Sequence, residues 1–269
     1  MLRPAISCLI LLLLKMHVTL AKDEVDSDEE LDAEQIGGYF QGDMLMTSWQ
    51  RSGLRNGSYR WPNATVYYKI NSSLDEAHTD FIMRAMYLIE NSSCIKFEEA
   101  TDKQPYFINI TNDKHGCFAH VGYLGKVQEF NIEYAPLGKR CFRLGTIVHE
   151  MLHSLGFYHQ HASAGRDAYI RIIDRNIKKH LMDNFKKQSN KTVHDFGKGY
   201  DFNSIMHYRM DAFNKFKHGL TMIPLQPGAK NMGQRIAMSD TDISKLNAMY
   251  NCTVQQTEST TNLPVSDKI

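Results

Sequence analysis

The stretch His149-Glu150-Met151-Leu152-His153-Ser154-Leu155-Gly156-Phe157-Tyr158-His159 restricts what this chain can fold into more than any other. On an α-helix, residues four apart lie one turn above each other on the same face, so the imidazoles of His149 and His153 can meet one cation. Glu150 then stands beside the pair, near the cation without having to ligate it, which suits a general base acting on water. Gly156 adopts the left-handed conformation at little cost and ends the helix, and the turn brings His159 back to the same ion. Histidines on a partly apolar helix can also be plain core residues. A glycine and a third histidine at these spacings favour the metal. Three neutral imidazoles with a fourth position open make a catalytic rather than a structural zinc site, since a structural site closes all four positions with protein ligands.

Residues 1–21 read as a secretory signal: Arg3, an apolar run from Ala5 to Leu14, and the small-residue cleavage site Thr19-Leu20-Ala21. The run is too short to span a bilayer, and no later segment is long and apolar enough. The expectation is a secreted, extracellular chain with no membrane anchor. Eight carboxylates follow between Asp23 and Glu34, and such a run predicts a solvated, disordered stretch over residues 22–35. After Cys252 the composition turns to Thr, Gln, Ser and Asn, which predicts a disordered tail over 253–269.

Between these ends the patterning is that of one globular α+β domain, large enough for a proper core. Alternation in Val66-Tyr67-Tyr68-Lys69-Ile70 predicts a first strand. Leu74–Glu90 reads as a helix with Ala77, Phe81, Ala85, Leu88 and Ile89 on its apolar face. Short strands are expected near 95–97, 106–110, 118–122 and 127–132, and the histidine helix over 144–155. From Gln160 little regular structure is expected until a helix over 240–250, with Ser239 as its N-cap.

Apart from Cys8 in the signal there are four cysteines, Cys94, Cys117, Cys141 and Cys252. An even number in an exported chain predicts two disulfides, but spacing leaves all three pairings open. Cysteine ligation of zinc competes poorly once three histidines serve. N-x-[ST] sequons stand at Asn56, Asn63, Asn71, Asn91, Asn109, Asn190 and Asn251, a density that predicts a glycoprotein.

The eleven-residue motif is the metzincin signature. With Ser204-Ile205-Met206-His207-Tyr208 downstream, and Arg166-Asp167 with Tyr169 after the third histidine, the chain resembles the astacin family of zinc metalloendopeptidases over nearly all of residues 40–252. The resemblance implies a two-lobed metzincin fold, with a small mixed sheet and the zinc helix in the upper lobe and protein or peptide substrates bound in extended form along the edge strand near 118–122. It implies one Zn2+ on His149, His153 and His159, Glu150 as catalytic base, Tyr208 as a zinc ligand that swings to stabilise the oxyanion, and Met206 as an apolar floor beneath the histidines. It also implies Cys94–Cys252 and Cys117–Cys141 as the disulfides.

Phe40-Gln41-Gly42-Asp43-Met44 resembles the inhibitory motif of astacin pro-segments, in which the aspartate binds the zinc; otherwise Asp43 is a turn residue after glycine. Trp61 resembles a tryptophan near the mature amino terminus, and family spacing then places the cut between Arg51 and Ser52, with Arg55 as the alternative. The organisation expected is a signal over 1–21, a pro-segment over 22–51, a catalytic domain over 52–252, and a trypsin-like activating protease as partner. From Ser52 on there are 27 basic and 21 acidic residues, a net charge of +6 that attracts the acidic pro-segment. No basic stripe is interleaved with aromatics, so nucleic acid is not an expected partner. A monomer is expected.

Arg235 resembles a pocket arginine that favours acidic residues just after the cut bond; the alternative is a surface arginine. Gln160 departs from the family, standing where most members have the glutamate that pairs with the new amino terminus. Phe118 and His120 replace a tryptophan and a tyrosine of the edge strand. A non-catalytic zinc-binding protein or a structural glycoprotein would need neither Glu150 nor Tyr208 beside an intact triad.

Overall fold

The computed structural model describes residues 32–47, 57–190, 192–216 and 219–253. The signal, the Arg51–Ser52 and Arg55 cut sites, Asn56 and residues 254–269 of the tail lie outside the described residues. Two large apolar clusters, an upper and a lower, organise the rest, with a small third one at Met44, Val121 and Tyr158.

The upper cluster lies between helices and a six-stranded mixed sheet built from β1 (Met44–Leu45), β2 (Thr65–Ile70), β3 (Lys96–Glu99), β4 (Ile108–Thr111), β5 (Cys117–His120) and β6 (Gln128–Ile132). Their order is β1-β5-β6-β4-β2-β3, and only β5 against β6 is antiparallel. Helix α1 (Glu76–Glu90) starts two residues in from Leu74 because Asp75 caps it, its side chain accepting from the His78 amide at 2.9 Å. The buried face is His78, Ile82, Ala85, Met86 and Ile89, so the expected face is rotated by about one residue: Ala77 and Leu88 are exposed. His78 causes the turn. Its ring bonds Asp75 and the Ala135 carbonyl and packs edge-on against Phe142, which draws a polar residue inward.

Helix α2 (Leu144–Ser154) is buried on every side from Gly145 to Ser154, as expected of a helix sandwiched between layers. It ends in a Schellman arrangement: Gly156 has φ +108°, its amide bonds the His153 carbonyl at 2.8 Å, and the Phe157 amide bonds that of Leu152 at 3.0 Å. The indole of Trp61 donates to the Ser154 carbonyl at 2.8 Å, satisfying another orphan group of that terminus.

The lower cluster gathers Ile170, Phe185, Phe202, Tyr208, Phe213 and Met222 around 3-10 turns and a two-stranded antiparallel sheet of β7 (Ile170–Ile172) and β8 (Met222–Pro224). That sheet was not expected, because three-residue strands carry almost no periodicity. Helix α3 (Asp240–Tyr250) is capped by Ser239. It returns to the upper cluster, where Leu246 is buried. The disulfides are Cys94–Cys252 and Cys117–Cys141, so the first ties the end of α3 back to the loop after α1. Asn63, Asn71, Asn91, Asn190 and Asn251 are exposed, and Asn109 is half-buried.

The acidic stretch corrects one expectation. Residues 32–35 are not a solvated tail: Ala33–Gln35 forms a 3-10 turn, with Asp32, Ala33 and Glu34 buried. Their carboxylates meet arginines, Glu34 with Arg235 and Asp32 with Arg143 and Arg209, and pairing is what makes a buried charge tolerable.

Candidate metal centre

Helix α2 sets His149 and His153 one above the other, and the turn at Gly156 delivers His159. Each ring is oriented through Nδ1, which donates to the Ile205 carbonyl (2.8 Å), the Phe157 carbonyl (2.8 Å) and the side-chain oxygen of Gln41 (3.0 Å) respectively. All three Nε2 atoms therefore turn inward with their lone pairs free. Burial lowers the pKa of His149 and brings that of His159 down to about 3, which keeps these rings neutral, the form a metal needs.

The fourth corner is Asp43. Its Oδ2 lies 3.3 Å from His149 Nε2 and 3.2 Å from His159 Nε2, and its Oδ1 lies 3.5 Å from His153 Nε2. His149 Nε2 and His159 Nε2 are 3.3 Å apart. Two ligands each about 2.1 Å from a tetrahedral zinc would be about 3.4 Å apart, so the spacing fits that ion. The donor set fits too: one atom from each of the four residues lies within 4.8 Å of the others, all four residues are buried, and Asp43 Oδ1 and His153 Nε2 lack hydrogen-bond partners among the described residues.

Glu150 is fully buried, and neither carboxyl oxygen has a hydrogen-bond partner among the described residues. Burial first, then the charges of Asp43 and Glu34, push its pKa well up. Tyr208 is buried with its ring stacked on His161 at 3.8 Å and tilted against His159 at 4.5 Å, and its hydroxyl donates to the main-chain oxygen of Gln41. Burial, then Asp43, raises its pKa well above the ordinary phenol value. Met206 is buried in the upper cluster, and its carbonyl accepts the Gln160 amide at 2.9 Å, joining this turn to the third histidine.

The segment carrying Asp43 also covers the sheet edge. Its strand β1 runs parallel to β5, pairing Met44 with Ala119 and Leu45 with His120, while the Ala119 amide donates to the Asp43 carbonyl at 3.0 Å. Arg235 is not a surface residue: its side chain is 5% exposed and its Nε donates to Glu34 at 2.8 Å.

A model of the astacin family of peptidases matches residues 53–251. The chain belongs to the astacin family. Among curated astacin relatives it is 45% identical over 226 residues to seminal metalloprotease 1 of Drosophila melanogaster, covering 82% of this chain and 90% of the relative. It is 30% identical over 231 residues to zinc metalloproteinase nas-4 of Caenorhabditis elegans, covering 82% and 71%. Among solved astacin structures it resembles high choriolytic enzyme 1, a hatching enzyme zinc-protease from Oryzias latipes, with a TM-score of 0.65, 32% identity, and coverage of 77% of this chain and 98% of the other. The chain is thus a zinc metalloendopeptidase of the metzincin type, with the α+β fold expected.

Three supports of this astacin site escaped sequence reasoning. Asp242 accepts from Ser204 Oγ (2.6 Å) and the Ile205 amide (2.8 Å) and completes a capping box with Ser239, so the start of α3 holds the turn that orients His149. The Ser239-x-x-Asp242 spacing was a visible signal for the cap but not for the turn it grips. Lys245, 7% exposed, donates to Gln160 Oε1 at 2.7 Å, so a resident ammonium occupies that amide. Burial lowers its pKa despite Asp242, Asp201 and Asp195 nearby. Gln41 is the third.

Proposed function

We propose that this astacin is made as a secreted zymogen whose leading segment closes the centre and is released by a trypsin-like cut between Arg51 and Ser52. The observation that carries this reading is the Asp43 carboxylate standing at the fourth corner of the three imidazoles. The pairing of Met44 and Leu45 with β5 supports it, since an extended peptide substrate needs that same sheet edge for its backbone.

Once the segment has gone, His149, His153 and His159 hold the metal. When bound, zinc supplies Lewis acidity at the scissile carbonyl and lowers the pKa of water held beside it. Glu150 takes the proton of the attacking water and passes it to the leaving amine. Tyr208, freed from Gln41, donates a hydrogen bond to the developing oxyanion. Met206 packs as an apolar support. Arg235 favours an acidic side chain just after the cut bond. Its Nη1 is tied to the carbonyls of His207 (3.1 Å) and Gln234 (2.9 Å), which leaves the Nε edge of the guanidinium, the edge that meets Glu34, to take a carboxylate. The substrates are proteins or peptides, the enzyme is a monomer, and the exposed sequons carry N-linked glycans.

Casein digestion by the full-length chain before and after trypsin, with and without phenanthroline, tests the reading. Activity should appear after trypsin, vanish with the chelator, and be absent from Glu150→Ala. Full activity in Glu150→Ala would overturn the assignment of the base. Equal rates on matched peptides with Asp or Lys after the cut bond would remove the role of Arg235.

A further inference from the structure

Arg235 meets Glu34 at a place the helix itself shapes. Gly145, in the first turn of α2, lies where the backbone of Arg235 passes, and a Cβ there would stand 2.0 Å from the Arg235 carbonyl oxygen. This approach sets the guanidinium beside the next residue, Thr146. Glu34 fills the space between them, its Oε1 accepting from Arg235 Nε at 2.8 Å and from Thr146 Oγ1 at 3.0 Å. The two ties of Nη1 to main-chain carbonyls fix the guanidinium from behind. Glu34 is 1% exposed and Thr146 fully buried. Thr146 precedes His149 by three residues, hence by one turn on the same face of α2, so this pair of donors adjoins the metal centre.

We propose that Arg235 and Thr146 form a carboxylate-binding subsite with Glu34 as its ligand in cis, so that two separate carboxylate anchors hold the leading segment, Asp43 at the histidines and Glu34 at this clamp. The proposal rests on the reading of the segment as an inhibitor and adds a metal-independent hold to it. The subsite takes a carboxylate on a short flexible stem, as on an acidic peptide side chain.

The path between the anchors supports this. Tyr39 and Gly42 pair across a tight loop, and Gly42, at φ +89°, packs so closely that a Cβ would lie 2.5 Å from the Glu34 carbonyl oxygen. The loop thus folds Asp43 back over Glu34 instead of leaving the acidic residues to solvent. Gln35 adds a third hold on the same turn, its side-chain oxygen accepting the Phe213 amide at 2.9 Å. Burial would raise the Glu34 carboxyl, but Arg235 more than offsets this and brings it to about 2, so the ligand is charged at neutral pH.

Amide hydrogen exchange on the full-length chain, read by mass spectrometry, tests the two anchors separately without requiring turnover. Removing zinc with phenanthroline should speed exchange over residues 40–45 and leave 33–36 protected by at least about tenfold. Glu34→Gln keeps the size and removes the charge, and should speed exchange over 33–36 by about tenfold or more with zinc in place. A Glu34→Gln chain exchanging like the wild type, or metal removal that frees both stretches equally, would overturn the proposal. In a second arm, a synthetic peptide of residues 32–47 competes with a fluorogenic substrate on the trypsin-activated enzyme. The Glu34→Gln peptide should bind about 10- to 100-fold more weakly than the wild-type peptide; equal potency would overturn the clamp. Full activity of the uncleaved chain would instead sink the inhibitor reading, leaving the exchange result to decide the clamp.

Discussion

The hydroxyl of Tyr208 donates to the main-chain oxygen of Gln41, and the side-chain oxygen of the same Gln41 accepts Nδ1–H of His159 at 3.0 Å. His149 and His153 take their orienting acceptors from the Ile205 and Phe157 carbonyls. His159 and Tyr208 instead bond Gln41, in the leading segment. One residue, two positions before the aspartate, thus sets the third imidazole and engages the tyrosine, and both would change partners on the proposed release of the segment.

For the activated enzyme, Tyr208→Phe should lower kcat by about 100-fold and leave KM within about threefold, because the lost hydroxyl acts on charge that develops during reaction. Steady-state kinetics on a fluorogenic peptide decide it. A raised KM with unchanged kcat would make Tyr208 a substrate-binding residue instead.

Asp43→Asn retains the shape of the side chain and weakens it as a metal ligand. The uncut variant should hydrolyse peptide at least about tenfold faster than uncut wild type. If it stays silent until trypsin is added, the strand pairing of Met44 and Leu45 with β5 is sufficient to block the cleft.

Gly145→Ala forces a methyl group against the Arg235 carbonyl, 2.0 Å from where its Cβ must sit. Backbone cannot swing aside as a side-chain tip can. The strain should cost about 1–3 kcal/mol, lowering Tm by roughly 3–10 °C in a calorimetric scan. An unchanged Tm would show that α2 and residue 235 separate freely.

The segment's affinity should rise as pH falls from 7 to 5. Asp32 faces Glu34, Arg235, Arg209, Arg143 and the side chain of Gln35, and burial, then the Glu34 charge, raises its pKa from 3.8 to about 6. A carboxyl raised in the docked state binds a proton on docking, so its contribution is full below 3.8 and lost as pH rises through about 6. Glu34 has the opposite sign: lowered from 4.5 to about 2, it contributes fully above 4.5 and is lost as pH falls toward 2, so it is level across this window. Binding of the 32–47 peptide to the activated enzyme should tighten about tenfold between pH 7 and 5. Asp32→Asn should flatten that slope; a slope that survives the substitution would point to another group.

Much of the candidate site was legible because it depends on short separations along the chain. The rise of a helix alone places His149 over His153, a glycine ends that helix at Gly156, and Ser239 caps α3 where its hydroxyl meets an orphan amide. Alternating side chains likewise marked strands such as β2, though not their partners. The face of α1 was misplaced because a polar residue, His78, earns its inward position from Asp75 and Ala135, contacts that hydrophobic periodicity does not encode.

What local pattern determined, then, is the chemistry of the centre: residue types at helical spacing need only backbone geometry to converge. Tertiary structure decided which distant groups accompany it. Arg235 meets Glu34 across 201 residues, Tyr208 meets Gln41 across 167 and Ser204 meets Asp242 across 38. The acidic stretch looked destined for water because isolated carboxylates are best solvated there. Packing reversed that at Asp32 and Glu34 by bringing arginines to them, the buried Arg235 and the partly exposed Arg143 and Arg209, and no spacing within the stretch could foretell where those arginines would be.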